Sequence, residues 1–489
     1  MNRWSMLFLG TCFLTSHSAY CQGYGGPLLF QGVEHVQVHS VASRGMGGIS
    51  TVSDGDVAAM FNCPTSLEGI RRAQFAVAGW FSWNRQEQEQ QYAPVRYYPN
   101  LSLLLEGLTG AIPDPNPELP GFTAADTVQR PYDNIGPNWS RSERANRPLH
   151  VLMAVPVLRG QISLVAGGGM VQYANLNHFY QNNNVLSPSI LSQRPLPTLR
   201  PTDDNPLAVD WYQTIRSRNG ALYGYGLVLA ATAEKYHLSF GLSGLYIRGS
   251  SEDFEQEIGR GKLIFFSNAF RADSVYRRVI RSGTSDFSGV DFAVSGTVGG
   301  RYARIGFAVR PPIEIKRTSS LRVKADSTGL PTLIDKRSED SLELPWRAVL
   351  GVSVSPRENF RIGFEYEVRP FASVRYLDPQ GNESSPWLSS SPYRMGLEYY
   401  PTWWLALRAG MRNEAEVFEP EGNHLPGEPV SYSVYCAGIG VSVGSLVLDL
   451  ACESGITKYQ DIWSSAISKN QQRRWTLLAQ VSYALRAKP

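Results

Sequence analysis

Charged residues recur on one alternating face of otherwise apolar stretches: Arg304 and Arg310, then Arg361, Glu365, Glu367 and Arg369, Arg394 and Glu398, Arg408 and Arg412, and Asp449 and Glu453. Side chains placed this way can do two kinds of chemistry. Arginine and carboxylate can close on each other, because a charge taken out of water needs a partner. Alternatively, an arginine fork can hold a ligand carboxylate in a bidentate contact. A ladder of ion pairs through Arg361, Glu365, Glu367, Arg394, Glu398 and Arg408 is the expected arrangement, pinning whatever fills the space between them. Catalysis has little support. Outside the first segment the histidines are His35, His39, His150, His178, His237 and His424, and only His237-Leu238-Ser239 comes near a nucleophile arrangement, on spacing alone. No P-loop, zinc spacing or dinucleotide fingerprint is present, so no enzyme, cofactor or metal is expected.

The elements that must carry these charges alternate with period two. Phe360, Ile362, Phe364, Tyr366 and Val368 face one way and Arg361, Gly363, Glu365, Glu367 and Arg369 the other; Trp475, Leu477, Ala479, Val481, Tyr483 and Leu485 form a second apolar face. Such strands want grease outside and water inside. Fourteen are read at 73–84, 148–158, 161–174, 219–232, 236–249, 287–299, 302–317, 345–355, 360–376, 392–400, 403–413, 431–441, 446–457 and 473–486. Their connections alternate strictly between turns of two to four residues and segments of fifteen to sixty-three. That asymmetry is the mark of an antiparallel transmembrane β-barrel of the outer-membrane type, with tight periplasmic turns, long extracellular loops and both termini in the periplasm. A soluble sandwich or propeller would not explain it. Trp346, Trp475 and Tyr483 stand where interfacial girdles belong.

Composition agrees. A chain of 489 residues with 46 Lys+Arg against 43 Asp+Glu, net charge +3, offers no basic footprint for nucleic acid, and 43% hydrophobic residues are too many for disorder. Residues 1–21 read as a signal peptide: Arg3, an apolar run from Trp4 to Thr15, and a cleavage site at Ala19-Tyr20-Cys21 that leaves Gln22 first. No later stretch is long and apolar enough for a membrane-crossing helix. Cys436 and Cys452 flank one tight turn; two lipid-facing thiols are favoured over a bridge, which needs particular geometry.

Residues 22–72 precede the barrel (73–489) and lack the period-two pattern. Fourteen strands enclose more space than wall side chains fill, so this stretch is expected to fold back into the lumen as a plug. Its core, Gly45, Gly47, Gly48, Asp54, Asp56, then Asn62-Cys63-Pro64, resembles the hatch signature of the outer-membrane long-chain fatty-acid transporter family. Val309-Arg310-Pro311-Pro312, Leu344-Pro345-Trp346, Tyr393 to Tyr399 and Leu448-Asp449-Leu450 are similar as well. Departures are Cys63, where the family usually has Asn before proline, and Thr65-Ser66 in place of Ala-Gly. The resemblance implies an all-β, 14-stranded barrel plugged by an N-terminal hatch, which passes hydrophobic small molecules such as long-chain fatty acids inward and opens sideways at a kink in the third strand. Gly167-Gly168-Gly169 is the candidate opening, since mid-strand glycines permit a bulge or a close backbone approach. A recess for a large hatch side chain fits them equally well. A lipophilic pocket is expected in the outer segments that hold Leu103-Leu104-Leu105 and Leu263-Ile264-Phe265-Phe266. The partners expected are a hydrophobic ligand or lipid and the outer membrane, around a monomeric barrel. The alternative is a barrel of the same architecture that serves as a scaffold in secreting or attaching surface proteins.

Overall fold

The computed structural model describes residues 25–35, 39–92, 135–188, 203–266, 270–273, 277–300, 302–326, 332–418, 430–463 and 466–485. The expected signal peptide and Leu103-Leu104-Leu105 lie outside them. The wall consists of β1 (Gln74–Tyr92), β2 (Trp139–Leu158), β3 (Ile162–Asn175, carried upward by His178–Pro188), β4 (Leu207–Ala233) and β5 (Leu238–Phe265). It continues through β6 (Arg278–Gly299), β7 (Ala303–Arg310, then Ile313–Asp326), β8 (Thr332–Leu344, then Arg347–Arg357) and β9 (Phe360–Val368). The last strands are β10 (Tyr393–Thr402), β11 (Leu405–Ala415), β12 (Ser431–Val443), β13 (Leu446–Trp463) and β14 (Ala466–Ala484). Each pairs antiparallel with the next, and β1 pairs with β14 from Gln74↔Ala484 to Tyr92↔Ala466, so fourteen strands close into a cylinder.

Alternation decides which face looks where. Val77, Phe81 and Trp83 on β1, Tyr225, Leu227 and Leu229 on β4, and Leu477 and Val481 on β14 project outward and stay exposed, while Ala78, Val228, Ala230 and Leu478 are buried inside. At mid-height the outer face is apolar all round, which is the surface a bilayer requires of a transmembrane barrel. Trp346, Trp403, Trp475, Tyr399 and Tyr483 are exposed near the ends of these faces. On β2 the outward set changes from Arg144, Asn146 and Pro148 to Val151, Met153 and Val155, because Leu149 is an extra residue in the ladder with β1. The bulge hands the strand from water to lipid.

Several strands run well past the stretches read from alternation. β1 continues to Tyr92, β4 begins at Leu207, and β5 reaches Phe265. The segment 318–344, expected as a loop, is mostly a hairpin of Ile313–Asp326 with Thr332–Leu344. Above the membrane both faces of a strand are polar, so the alternation fades although the ladder continues. In the other direction, the expected strand 360–376 stops at Val368; Pro370 lacks the N–H to go on, and a short 3-10 turn follows at Phe371–Ser373.

Residues 39–72 pack against inward-facing side chains. Ser40 caps α1 (Val41–Gly45) by accepting the Ser43 N–H. Val57, Met60, Phe61, Leu67 and Ile70 bury themselves among Ala76, Leu152, Val165, Val228 and Leu245. A charge forced onto the outer face at mid-height tests the membrane reading: Leu227→Arg is expected to cost about 2–4 kcal/mol in urea unfolding from lipid vesicles, the depth-dependent penalty of a lipid-facing arginine.

Candidate functional site

The inner wall first has to let another backbone approach. Gly363 on β9, Gly396 on β10 and Gly410 on β11 stand in register across three strands. A Cβ on Gly396 would lie 2.2 Å from the Met46 carbonyl oxygen, and one on Gly410 2.3 Å from the Met46 carbonyl carbon. Gly396 and Gly410 are therefore a seat for main chain, while Gly363 receives the Ile49 side chain. Gly47 turns the segment there with φ +78°; Gly48 is likewise left-handed, and Gly45 meets Gly438.

Charges then lock the segment to the wall. Glu365 Oε1 accepts the Ser50 N–H at 2.7 Å, the Thr51 N–H at 2.5 Å and the Thr51 hydroxyl at 2.6 Å, while its other oxygen meets Arg394 at 3.2 Å. Arg394 also binds Glu367. Arg408 joins Glu398 at 2.8 Å and Asp449 at 2.6 Å; Arg361 joins Glu398 at 3.1 Å and reaches Asp54 of the segment at 3.4 Å. Arg44 Nε and Arg412 Nη1 share Glu453 at 2.8 and 2.7 Å. The candidate ladder residues thus form two groups, Glu365 and Glu367 around Arg394, and Arg361 and Arg408 around Glu398, and each group contacts the segment. Asp56 accepts from the Ala58 N–H and the Ser40 hydroxyl, Asn62 Oδ1 takes the His39 N–H at 2.9 Å, and Pro64 lies over Gly241. Cys63 is fully buried, and burial pushes its thiol up to about 11, so it is chemically quiet.

Residues 25–35 reach a second region whose role alternation does not reveal. Phe30 and Val33 sit in an apolar hole made by Leu176, Leu222, Ile247, Phe287, Ile313 and Ile315 together with Leu342, Leu344, Phe371 and Trp387. Phe30 packs edge-on against Phe287 at 5.9 Å and Tyr376 at 6.1 Å. Arg218, paired with Asp253 at 2.7 Å, donates to the Leu29 carbonyl; Arg317, paired with Asp340, donates to the Leu28 and Leu29 carbonyls. Only the phase of Arg317 with Ile313 and Ile315 along β7 signals this grip in the sequence. Beside the hole lies a polar cavity of about 180 Å³ lined by Glu34, His35, Arg369, Arg412, Glu414 and Glu416 among others. His35 stands 3.4 Å from both Glu34 and Glu416, the one converging set of possible metal donors among the described residues. Burial pushes its imidazole down, but Glu416 and Glu34 outweigh burial and hold it up at about 9. The protonated ring answers both carboxylates.

Other expectations are placed differently. Gly167, Gly168 and Gly169 keep unbroken register with Met153 and its neighbours on β2 and with Leu227 and its neighbours on β4; the shift in this ladder lies between Gln172 and Ala174. A Cβ on Gly167 would meet Met60 Sδ at 2.7 Å, so the patch receives a side chain of the segment. Cys436 and Cys452 are both free, on opposite faces: Cys436 is lumenal, 3.3 Å from Arg412, and only Cys452 lies on the lipid side, since Cys436 is paired across the ladder with Glu453 rather than with Cys452. His237 is exposed on a tight turn with φ 48°, and Ser239 is buried against the Thr232 hydroxyl. Leu263 is buried near the tip of β5, apart from the Phe30 hole.

No family model and no curated protein matches the sequence. Among solved structures, the chain is similar to a Pseudomonas aeruginosa FadL homologue with TM-score 0.57 and 13% identity, over 92% of this chain and 99% of that one. This is the fold of the FadL homologues. The same FadL-homologue fold relates it to the Pseudomonas putida toluene transporter TodX, with TM-score 0.54 and 13% identity over 93% and 100% of the two chains. The CymD monoaromatic hydrocarbon channel is similar with TM-score 0.51 and 12% identity over 93% and 99%.

Two outcomes follow for this barrel. Glu365→Ala strips three donors and Arg394 of an acceptor, and is expected to cost about 3–5 kcal/mol, as breaking a buried pair does; trypsin should then cut the folded protein at Arg44, which is protected in the parent. His35 has a folded pKa above its ordinary 6.5, so its contribution is complete below pH 6.5 and is lost as pH rises through about 9. A nitroxide at residue 31 should gain mobility over that window, and His35→Gln should abolish the transition.

Proposed function

We propose that this barrel takes hydrophobic small molecules, long-chain fatty acids among them, across the bacterial outer membrane. Residues 22–72 act as the hatch, residues 1–21 as an export signal, and both termini face the periplasm. The observation that carries the reading is the hole around Phe30. The inner wall is apolar there, flanked by the Arg218–Asp253 and Arg317–Asp340 pairs, and it is closed by two side chains of the chain's own N-terminal stretch. Releasing a long acyl chain into a wet lumen would cost on the order of 10 kcal/mol at about 0.8 kcal/mol per methylene, so a greasy resting place on the way is what such cargo needs. Phe30 and Val33 hold that place until a solute of similar surface displaces them. The names of the similar structures, a toluene transporter and a monoaromatic hydrocarbon channel, support the same class of cargo.

For the exit we favour the wall beside Gly167, Gly168 and Gly169. Met60 backs it from inside, and the glycines bring no side chains of their own. Withdrawal of the hatch would leave the wall thinnest there.

The test is uptake of labelled oleate and toluene by cells that carry the parent, a deletion or Phe30→Ala, with barrel folding checked by heat-modifiable gel mobility. Deletion should abolish uptake, and Phe30→Ala should change half-saturation at least threefold. Unchanged uptake after deletion, together with loss of a surface protein, would replace the proposal with the secretion-scaffold reading.

A further inference from the structure

Just above the apolar band, the outer face of β13, β14, β1 and β2 collects cations that the fold does not need. Trp83 and Trp475 are register partners and both lie exposed on the outer face. Arg144 is the register partner of Trp83 on the other side, and one step higher Arg85 stands directly opposite Arg473. Like charges directly opposed across an antiparallel pair destabilise it. Glu87 answers Arg85 alone, at 2.7 Å. Arg144 and Arg473 have no carboxylate partner among the described residues, and the next row up adds Lys458, opposite Gln471. On the opposite flank the same belt is balanced: Arg248 and Lys316 stand with Glu252, Asp286 and Glu314 on the outer faces of β5, β6 and β7.

We propose that this sector is a docking surface for a phosphorylated glycolipid of the outer leaflet, with Arg85, Arg144 and Arg473 holding its phosphates and Trp83 and Trp475 lying against its acyl chains. Position commits the occupant. The arginines continue directly from the lipid-facing band, at the height where headgroups begin, so the molecule that reaches them is the one whose tails cover Leu477 and Phe81. Guanidinium forks match phosphate oxygens in a bidentate way, and an anion between Arg85 and Arg473 removes their repulsion. The inference uses the barrel's place in a membrane and is independent of what passes through the lumen.

The experiment titrates the purified, detergent-held full chain with an acylated glucosamine disaccharide bearing two phosphates, and with the same glycolipid stripped of phosphate, and counts bound molecules by native mass spectrometry. The parent should prefer the phosphorylated form at least tenfold, an outcome that needs no variant. Replacing all three arginines by glutamine should weaken that binding roughly hundredfold, at about fivefold per cation near a lipid surface, while Arg248→Gln on the balanced flank should change it less than twofold. Equal binding of both glycolipids by the parent, or an unchanged triple variant that retains its heat-modifiable mobility, would overturn the proposal. So would a protein rather than a lipid crosslinked from cells to a photoreactive group at Trp475.

Discussion

Hydrocarbon offers a strand no hydrogen bonds, so every N–H and C=O in the bilayer must find another strand. The β1–β14 seam, in register over nineteen residue pairs from Gln74 to Tyr92, is where that demand is met: without it two edges would face lipid. Closure dictates the rest. The outward residue of each alternate pair must be apolar, and the inward residues are left with a lumen too wide to fill alone. The N-terminal segment makes up the difference, and because its backbone groups enter without a sheet of their own, the wall has to supply acceptors. Glu365 does so for Ser50 and Thr51.

The interior divides into two regions with different physics. Around residues 39–72 it combines an apolar cluster at Val57, Met60, Phe61 and Leu67 with groups of arginines and carboxylates, where removing a shared acceptor such as Glu365 or Glu453 leaves several partners buried and unmatched. Around Phe30 it is apolar on the β4–β8 side, and the main-chain carbonyls of Leu28 and Leu29 are held by Arg218 and Arg317. A polar grip on the backbone thus surrounds a nonpolar grip on the side chain. Contacts of the first kind are directional; those of the second are set by area and tolerate a change of occupant.

Alternation made the wall legible. Fourteen strands could be counted because lipid outside and charge inside leave a period of two in residues such as Phe360 to Arg369 and Trp475 to Leu485. The pattern fades where its cause does, so the upper reaches of β4, β5, β7 and β8 read as loops. Clustered glycines announce that a close approach occurs but not from which side: Gly167 makes room for Met60, while Gly396 and Gly410 make room for main chain. The facing of Cys436 follows from the phase of β12, in which it shares the inner face with Val434 and Gly440. Phe30 carries no signal of its own, since a single aromatic in an irregular stretch acquires meaning only from the dozen wall residues that gather round it.

The two glycines that seat main chain, Gly396 on β10 and Gly410 on β11, have a mechanical consequence. Side chains that interdigitate must climb over one another when two elements slip, and that climb is a barrier made of overlapping volumes. Main chain lying on bare glycine has nothing to climb, so this flank works as a smooth bearing. What resists slip there is the Ile49 side chain seated on Gly363 and the bonds of Glu365 to Ser50 and Thr51. Because those groups are buried, salt in solution screens them little, and the hold on this track is set by local packing and hydrogen bonding.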